Sequence, residues 1–205
     1  MKRINILIAT VILFAACNEP AQKKEDHSTM QHKASGNKNI MMQAMDESML
    51  AMHQIKQTGN ADYDFAAMMI PHHEGAIVMA KAAQEKGKST TLISFAEKVI
   101  SAQKKEIESL NNFLKTADKT PSANAKEIKL ALDGSMKPMM DGMAETKLTG
   151  NIDHDFVALM IPHHQSAVDM AKAYLPHAQH PQIKKMANEI IQAQEAEIKW
   201  LKEQN

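Results

Sequence analysis

Two pairs of adjacent histidines are the residues whose types and spacing most clearly suggest chemistry. His72 and His73 follow the tripeptide Met-Ile-Pro, and His163 and His164 follow the same tripeptide 91 residues later. On a helix with about 100° per residue, the two histidines of a pair lie about 60° and 40° to either side of the motif methionine. Both rings then lean toward the protein interior, where neutral imidazoles can bind a transition metal.

Methionines flank both histidine pairs at helical spacing. The candidate thioether ligands beside the pairs are Met69, Met79, Met160 and Met170. Thioether sulfur is a soft ligand that selects Cu(I), whereas imidazole accepts Cu(I), Cu(II) or zinc. Methionine is also an adaptable filler of cores, so simple packing is the alternative for these residues.

Two short segments supply a second set of candidate ligands. These are Met45, Met49, Met52 and His53 in one segment and Met136, Met139, Met140 and Met143 in the other. Few ordinary cores place so many methionines on one short helix with so few leucines. We therefore expect some of these thioethers to contact metal, with packing again as the alternative.

One polar residue interrupts the apolar stripe of each helix that follows a histidine pair. Gln103 and Gln194 occupy matched positions, and Glu106 and Glu197 lie one turn further along. A buried Gln costs free energy unless it finds a hydrogen-bond partner. A metal-bound His usually donates its second N–H to such an acceptor. We therefore predict that these four residues interact with the histidine ring N–H groups that do not face the metal.

A tandem duplication positions all of these side chains. Residues 62–82 and 153–173 are identical at 14 of 21 positions, and the gap-free repeats cover about 45–114 and 136–205. Apolar residues at helical rather than alternating spacing predict an all-α fold, with two helical units packed about a pseudo-twofold axis.

Each copy is predicted to contain three helices. The predicted elements are short Met-rich helices near 40–57 and 136–148, second helices to about 85 and 174, and third helices over about 91–115 and 181–203. Residues 116–135 are predicted to link the copies. The second helices are expected to start at an Asp cap, with Asp62 or Asp64 and Asp153 or Asp155 as the candidates.

The repeated motif resembles that of secreted bacterial proteins grouped as domain of unknown function 305. Both copies contain Asp-x-x-Phe, Met-Ile-Pro-His-His, Ala-x-x-Met-Ala and Gln-x-x-Glu-Ile, and the match covers roughly residues 40–205. The second copy adds Trp200, where the first has Ser109. The resemblance implies a ferritin-like four-helix bundle, here built from two tandem helical repeats with additional short Met-rich helices. It also implies copper handling in the cell envelope, because the family includes a periplasmic copper-resistance protein with Met-rich sites.

The start of the chain has the pattern of a targeting signal. Lys2 and Arg3 precede an apolar run over residues 4–16, which is shorter than the roughly 20 residues that span a bilayer. Cys17 follows directly and resembles the lipidated Cys of a bacterial lipobox. We therefore predict a lipoprotein signal peptide over 1–16 and lipidation at Cys17. An ordinary signal peptide with an incidental Cys is the alternative.

A polar segment separates Cys17 from the duplicated domain of residues 40–205. Residues 17–39 have almost no apolar side chains and no periodicity, so they are predicted to form a disordered tether. His27, Met30 and His32 lie in it without an assigned role. The expected location is the bacterial cell envelope, with a membrane-anchored lipoprotein that faces the periplasm or the exterior.

Composition excludes several classes of function. The 24 basic and 24 acidic residues balance, and Arg3 is the one arginine, so nucleic-acid binding is not expected. The single Cys excludes an internal disulfide framework, thiolate zinc sites and iron–sulfur clusters.

The leading hypothesis is an envelope lipoprotein that binds copper, as Cu(I) and/or Cu(II), for buffering, resistance or transfer. Another divalent metal is an alternative cargo, and a copper-transfer protein is a candidate partner. The membrane would be contacted through the lipid anchor only. One alternative is a ferritin-like di-metal enzyme, but that needs several inward Glu and Glu-x-x-His pairs, and the sequence has no Glu-x-x-His. A structural or interaction bundle without metal is the other alternative.

Overall fold

A computed structural model of the chain describes residues 39–204. These contain seven α-helices and no strand. The helices are α1 (Ile40–Gln54), α2 (Ala61–Lys86), α3 (Thr90–Leu114), α4 (Ala125–Ser135), α5 (Lys137–Glu145), α6 (Ile152–Tyr174) and α7 (Pro181–Lys202), with a 3₁₀ turn at Leu175–His177 between the last two. The predicted signal peptide, Cys17, His27, Met30 and His32 lie outside the described residues. Within residues 39–204, every helix is too short or too polar to span a bilayer.

The four long helices form a bundle of two hairpins. Helix α2 packs on α3, α6 packs on α7, and α2 contacts α6 at the centre. Helix α1 lies mainly on α2, whereas α4 and α5 lie on α6. Phe65 and Phe156, matched in the two copies, are fully buried in the core. This arrangement confirms the prediction of an all-α bundle built from two tandem helical repeats.

The segment 116–135, predicted to link the two copies, contains a helix in its second half that the sequence analysis did not predict. Residues 125–135 form α4, an 11-residue helix. A helix this short is marginal by itself and depends on tertiary packing. Ile128 and Leu132, four residues apart and at most 1% exposed, supply that packing. The i, i+4 spacing of these two residues was the available signal for α4.

Asparagines, not the predicted aspartates, cap the second helices. Asn60 accepts hydrogen bonds from the first backbone N–H groups of α2, and Asn151 does the same for α6. Asp64 instead binds the backbone N–H groups of Thr58 and Gly59, in the loop before α2. Asp155 makes the same contacts in the second copy. Both aspartates lie inside the first turn, from which their carboxylates reach back to the loop.

The other two candidate aspartates connect the copies to each other. Asp62, on α2, accepts hydrogen bonds from the backbone N–H groups of Gln179 and His180, just before α7. It also accepts one from the hydroxyl of Tyr174, with an O···O distance of 2.5 Å. Asp153, on α6, accepts from the backbone N–H groups of the loop before α3. The second helix of each copy therefore holds the start of the third helix of the other copy.

Candidate metal centre

The four motif histidines meet where α2 and α6 pack against each other. All four are 0% exposed. The ring centroids of His72 and His163 are 4.0 Å apart, with planes inclined by 47°. His73 and His164 flank this central pair, at 6.1 and 6.3 Å from the neighbouring ring centroid in their own helix. The structure thus brings the two predicted pairs together in one cluster, which we call the histidine cluster.

Most ring nitrogens in the histidine cluster have no hydrogen-bond partner. Nδ1 of all four rings and both nitrogens of His163 are buried without one. Leaving polar groups buried and unpaired is costly, and native proteins rarely do so without a reason. Lone pairs on several converging imidazoles are the groups that a bound metal ion would satisfy.

Glu106 and Glu197 lie at the outer ends of the histidine cluster. Oε2 of Glu106 is 2.8 Å from Nε2 of His73, and Oε2 of Glu197 is 3.0 Å from Nε2 of His164. At these distances each carboxylate contacts a ring nitrogen of an outer histidine, although the geometry is not that of an aligned hydrogen bond. Each carboxylate is about one quarter exposed and so links a buried ring to the surface.

The predicted hydrogen bonds from imidazole to Gln103 and Gln194 are absent. Both glutamines are 3% exposed, as expected, but the side-chain oxygen of each has no partner. The carboxylates one turn further on contact the outer histidines instead.

Nearly all of the predicted thioether ligands are buried. Each of these methionines is at most 7% exposed: Met45, Met49, Met52, Met69, Met79, Met136, Met139, Met143, Met160 and Met170. Met139 is linked to the histidine cluster by a polar contact, because its sulfur is 3.0 Å from Oγ of Ser166. The same hydroxyl is 2.6 Å from Nε2 of His72.

Two predicted site residues lie apart from the histidine cluster. The ring of His53 is exposed, and its Nδ1 is 2.9 Å from the backbone oxygen of Met49. Met140 is 42% exposed, whereas its neighbour Met139 is buried. Both point away from the core because successive helical residues are separated by about 100°.

The central imidazoles are kept neutral by their surroundings. Burial lowers the pKa of His72 and of His163 well below 6.5, because a charged ring cannot be solvated there. The neighbouring imidazoles lower both pKa values further, since they would repel a second positive charge. Neutral rings at physiological pH have the free lone pair that metal binding requires.

The histidine cluster does not form a complete metal site from nitrogen and oxygen ligands alone. Among residues 39–204, no three His, Cys, Asp or Glu side chains stand close enough together to hold an ion. A site here therefore needs a thioether ligand or a small rotation of the rings. The buried methionines fit the first of these requirements and favour a soft metal.

Ser166 is a site residue that sequence reasoning missed. It is 1% exposed and donates to the backbone oxygen of His163 while contacting His72 and Met139. The sequence marks this residue only as a difference between the two copies. Ser166 corresponds to Gly75 in the first copy, and Met139 corresponds to Ser48.

An open groove of about 600 Å³ lies between α3 and α7. Phe95 and Trp200 stack in its wall, with ring centroids 4.5 Å apart. Glu197 also lines the groove. Its carboxylate therefore faces solvent on one side and the buried ring of His164 on the other.

The fold and the site define a class: a duplicated helical bundle with buried histidines and methionines at the junction of its two copies. The chain belongs to the family described as Domain of unknown function (DUF305), whose profile matches residues 12–114 and again 62–204. This confirms the resemblance read from the repeated motif.

Solved structures of a protein called CopM are similar to this chain. The Cu(I)-bound form is 34% identical, with a TM-score of 0.52, over 69% of this chain and 93% of CopM. The Cu(II)-bound form is 30% identical, with a TM-score of 0.53 and the same coverage. A silver-bound form, obtained by soaking, is 34% identical with a TM-score of 0.53, over 69% of this chain and 92% of CopM. Among curated proteins, no relative of the chain was found.

Proposed function

We propose that this protein binds copper in the bacterial cell envelope, where it buffers the metal or passes it to a partner. The observation that carries the proposal is the histidine cluster, with four fully buried imidazoles whose ring nitrogens mostly lack hydrogen-bond partners. Such an arrangement is costly in a bundle that only packs. A metal ion at the cluster would offset that cost.

The donor set favours copper over harder metals. Buried imidazoles and thioethers suit Cu(I), and imidazoles also accept Cu(II). Solved forms of CopM contain Cu(I), Cu(II) or silver, which supports the same preference here. Zinc is the main competitor, because it accepts imidazole but gains little from a thioether.

A binding role accounts for the site better than di-metal catalysis does. Di-iron sites in helical bundles need several inward carboxylates. Among the described residues, the carboxylates at the histidine cluster are Glu106 and Glu197, and each already contacts an outer histidine. Asp62 and Asp64 are buried, but they bind backbone N–H groups of loops.

Attachment to a membrane through Cys17 is part of the proposal. Its support is the sequence alone, in which the only Cys of the chain follows a short apolar run directly. The anchor would hold the bundle at an envelope membrane, facing the periplasm or the exterior.

Copper titration under reducing and oxidising conditions tests the proposed activity. The variant His72→Ala with His163→Ala should lose most of the bound copper while keeping its helix content. A matched control, His154→Gln with His180→Gln, changes two exposed histidines and should bind copper normally. Wild-type protein that binds no copper in either condition would refute the proposal, as would normal binding by the folded His72/His163 variant.

A methionine series tests the contribution of the thioethers. Replacing Met136, Met139 and Met143 with Leu should weaken Cu(I) binding more than Cu(II) binding, because only the soft ion gains from sulfur. Leu keeps the side chain apolar and of similar size. Met140→Leu is the control, since that side chain is largely exposed. Equal weakening of both ions would indicate a packing defect rather than lost ligands.

A further inference from the structure

The histidine cluster is not symmetric, although the motif that builds it is repeated exactly. Positions 91 residues apart differ at two places beside it: Ser166 on α6 matches Gly75 on α2, and Met139 on α5 matches Ser48 on α1. A hydroxyl therefore touches one central ring, with Oγ of Ser166 2.6 Å from Nε2 of His72. Neither ring nitrogen of the other central residue, His163, contacts a hydroxyl among the described residues, and the backbone of His72 lies beside this ring instead.

The single hydrogen of the Ser166 hydroxyl determines which nitrogen of His72 is protonated. A serine hydroxyl has one hydrogen to donate and two lone pairs that accept. Two of its neighbours can only accept: the backbone oxygen of His163 at 2.8 Å and the sulfur of Met139 at 3.0 Å. With its hydrogen directed to either of these, the hydroxyl accepts a hydrogen bond from His72, whose Nε2 must then be the protonated nitrogen.

The opposite arrangement is less favourable. If Ser166 donated to His72 instead, the neutral ring would carry its hydrogen on Nδ1. That nitrogen is buried and has no partner, so an N–H group would be left without an acceptor. Unpaired buried N–H groups are rarer than unpaired acceptors, because the latter are less costly.

We infer that Ser166 is a positioning residue that locks His72 with its hydrogen on Nε2 and leaves the lone pair of Nδ1 to bind copper. The identity of the metal rests on the proposed function, whereas the locked ring does not. His163 has no hydroxyl contact, because Gly75 stands at the matched position and the hydroxyl of Ser48, which fills the space there, binds the backbone oxygen of Met45. The two copies therefore contribute one ring that is held by a hydroxyl and one ring without such a contact.

NMR of the metal-free protein tests the lock directly. Long-range ¹H–¹⁵N spectra of uniformly ¹⁵N-labelled protein at neutral pH report which ring nitrogen of each histidine carries hydrogen. Comparison with His72→Gln assigns the signals of that ring. We expect His72 as the Nε2–H form alone. Finding hydrogen on Nδ1 in the wild-type protein would overturn the inference.

Variants of Ser166 test cause and consequence. Ser166→Ala should change the protonated nitrogen of His72 or give a mixture, and Ser166→Thr, which keeps a hydroxyl, should restore the wild-type spectrum. Ser135→Ala is the control, because Ser135 is also buried and donates to a backbone oxygen three residues earlier, but in α4. An unchanged His72 signal in Ser166→Ala would overturn the lock.

Copper binding then tests the assignment of Nδ1. Loss of a residue that orients a metal-binding His typically weakens affinity ten- to a hundredfold, so we expect about that loss in Ser166→Ala and none in Ser135→Ala. Unchanged affinity with an altered ring would refute copper binding through Nδ1. Wild-type protein with the expected His72 form but no copper binding would refute the proposed function and support the lock.

Discussion

The stability of the metal-free protein should depend strongly on pH between 7.5 and 5.5, because of His72 and His163. Burial holds the pKa of both rings well below 6.5 in the native state, so both stay neutral as the pH falls. In the unfolded chain the same rings take up protons near pH 6.5. The unfolded state then binds more protons than the native state, and stability is lost as the pH drops below that value.

The size of the effect follows from the two protons involved. Each proton taken up only by the unfolded state lowers the free energy of unfolding by about 1.4 kcal/mol per pH unit well below pH 6.5. While both rings remain neutral in the native state, the total loss from pH 7.5 to 5.5 is about 2.7 kcal/mol. Burial raises the pKa of Asp155, but hydrogen bonds from Thr149, His154 and Gly150 together outweigh it and hold the pKa below its usual 3.8, so Asp155 titrates below this window.

Urea unfolding at several pH values, followed by circular dichroism with EDTA present, measures this dependence. The variant His72→Gln with His163→Gln removes both titrating rings and should flatten the pH profile. The control His180→Gln should keep the wild-type profile, because its ring is exposed. A wild-type loss below about 1 kcal/mol, or an unchanged loss in the His72/His163 variant, would refute the reasoning.

Three further predictions concern the anchor, the packing and the backbone. Cys17→Ser should release the protein from the membrane fraction to the soluble envelope fraction, and unchanged fractionation would exclude lipidation at this residue. Leu132→Ala should lower the free energy of unfolding by about 2–5 kcal/mol, because that side chain is fully buried, whereas Leu130→Ala, 65% exposed, should change it by less than about 0.5 kcal/mol. Gly59→Ala should cost more stability than Gly150→Ala in the same urea assay. Both glycines have a positive φ, but at Gly59 a Cβ would also lie 2.6 Å from another side chain, whereas the space at Gly150 is open.

The parts of the fold that could be predicted from sequence are those that depend on periodic burial. The stripe through Phe65 and Met69 placed α2 correctly, and the 91-residue repeat placed α6 with it. Helix α4 escaped prediction because it is short and depends on tertiary contacts, mainly with α6. The helix caps escaped because Asn60 lies just before an equally plausible Asp62, and only the backbone path decides which side chain reaches the free N–H groups.

The candidate site likewise has features that could be predicted from the sequence and features that could not. The inward direction of His72 and His163 follows from helical geometry, so their burial could be predicted. Their approach to a ring-centroid distance of 4.0 Å depends on how α2 and α6 cross, which periodicity does not determine. The contact of Glu106, rather than Gln103, with a histidine could not be predicted from the spacing of two polar residues one turn apart. Ser166 could be noticed in the sequence only as a difference between the copies.

The reciprocal contacts of Asp62 and Asp153 bear on how such a chain could have originated. Each carboxylate binds backbone N–H groups that belong to the opposite copy, so one copy alone would leave both its carboxylate and its matching loop unsatisfied. Two identical single-copy chains would satisfy each other through a twofold symmetric interface. The arrangement is therefore the one expected if the two subunits of a homodimer were fused into one polypeptide. Fusion also frees matched positions to diverge, as the glycine and serine beside the two central histidines have done.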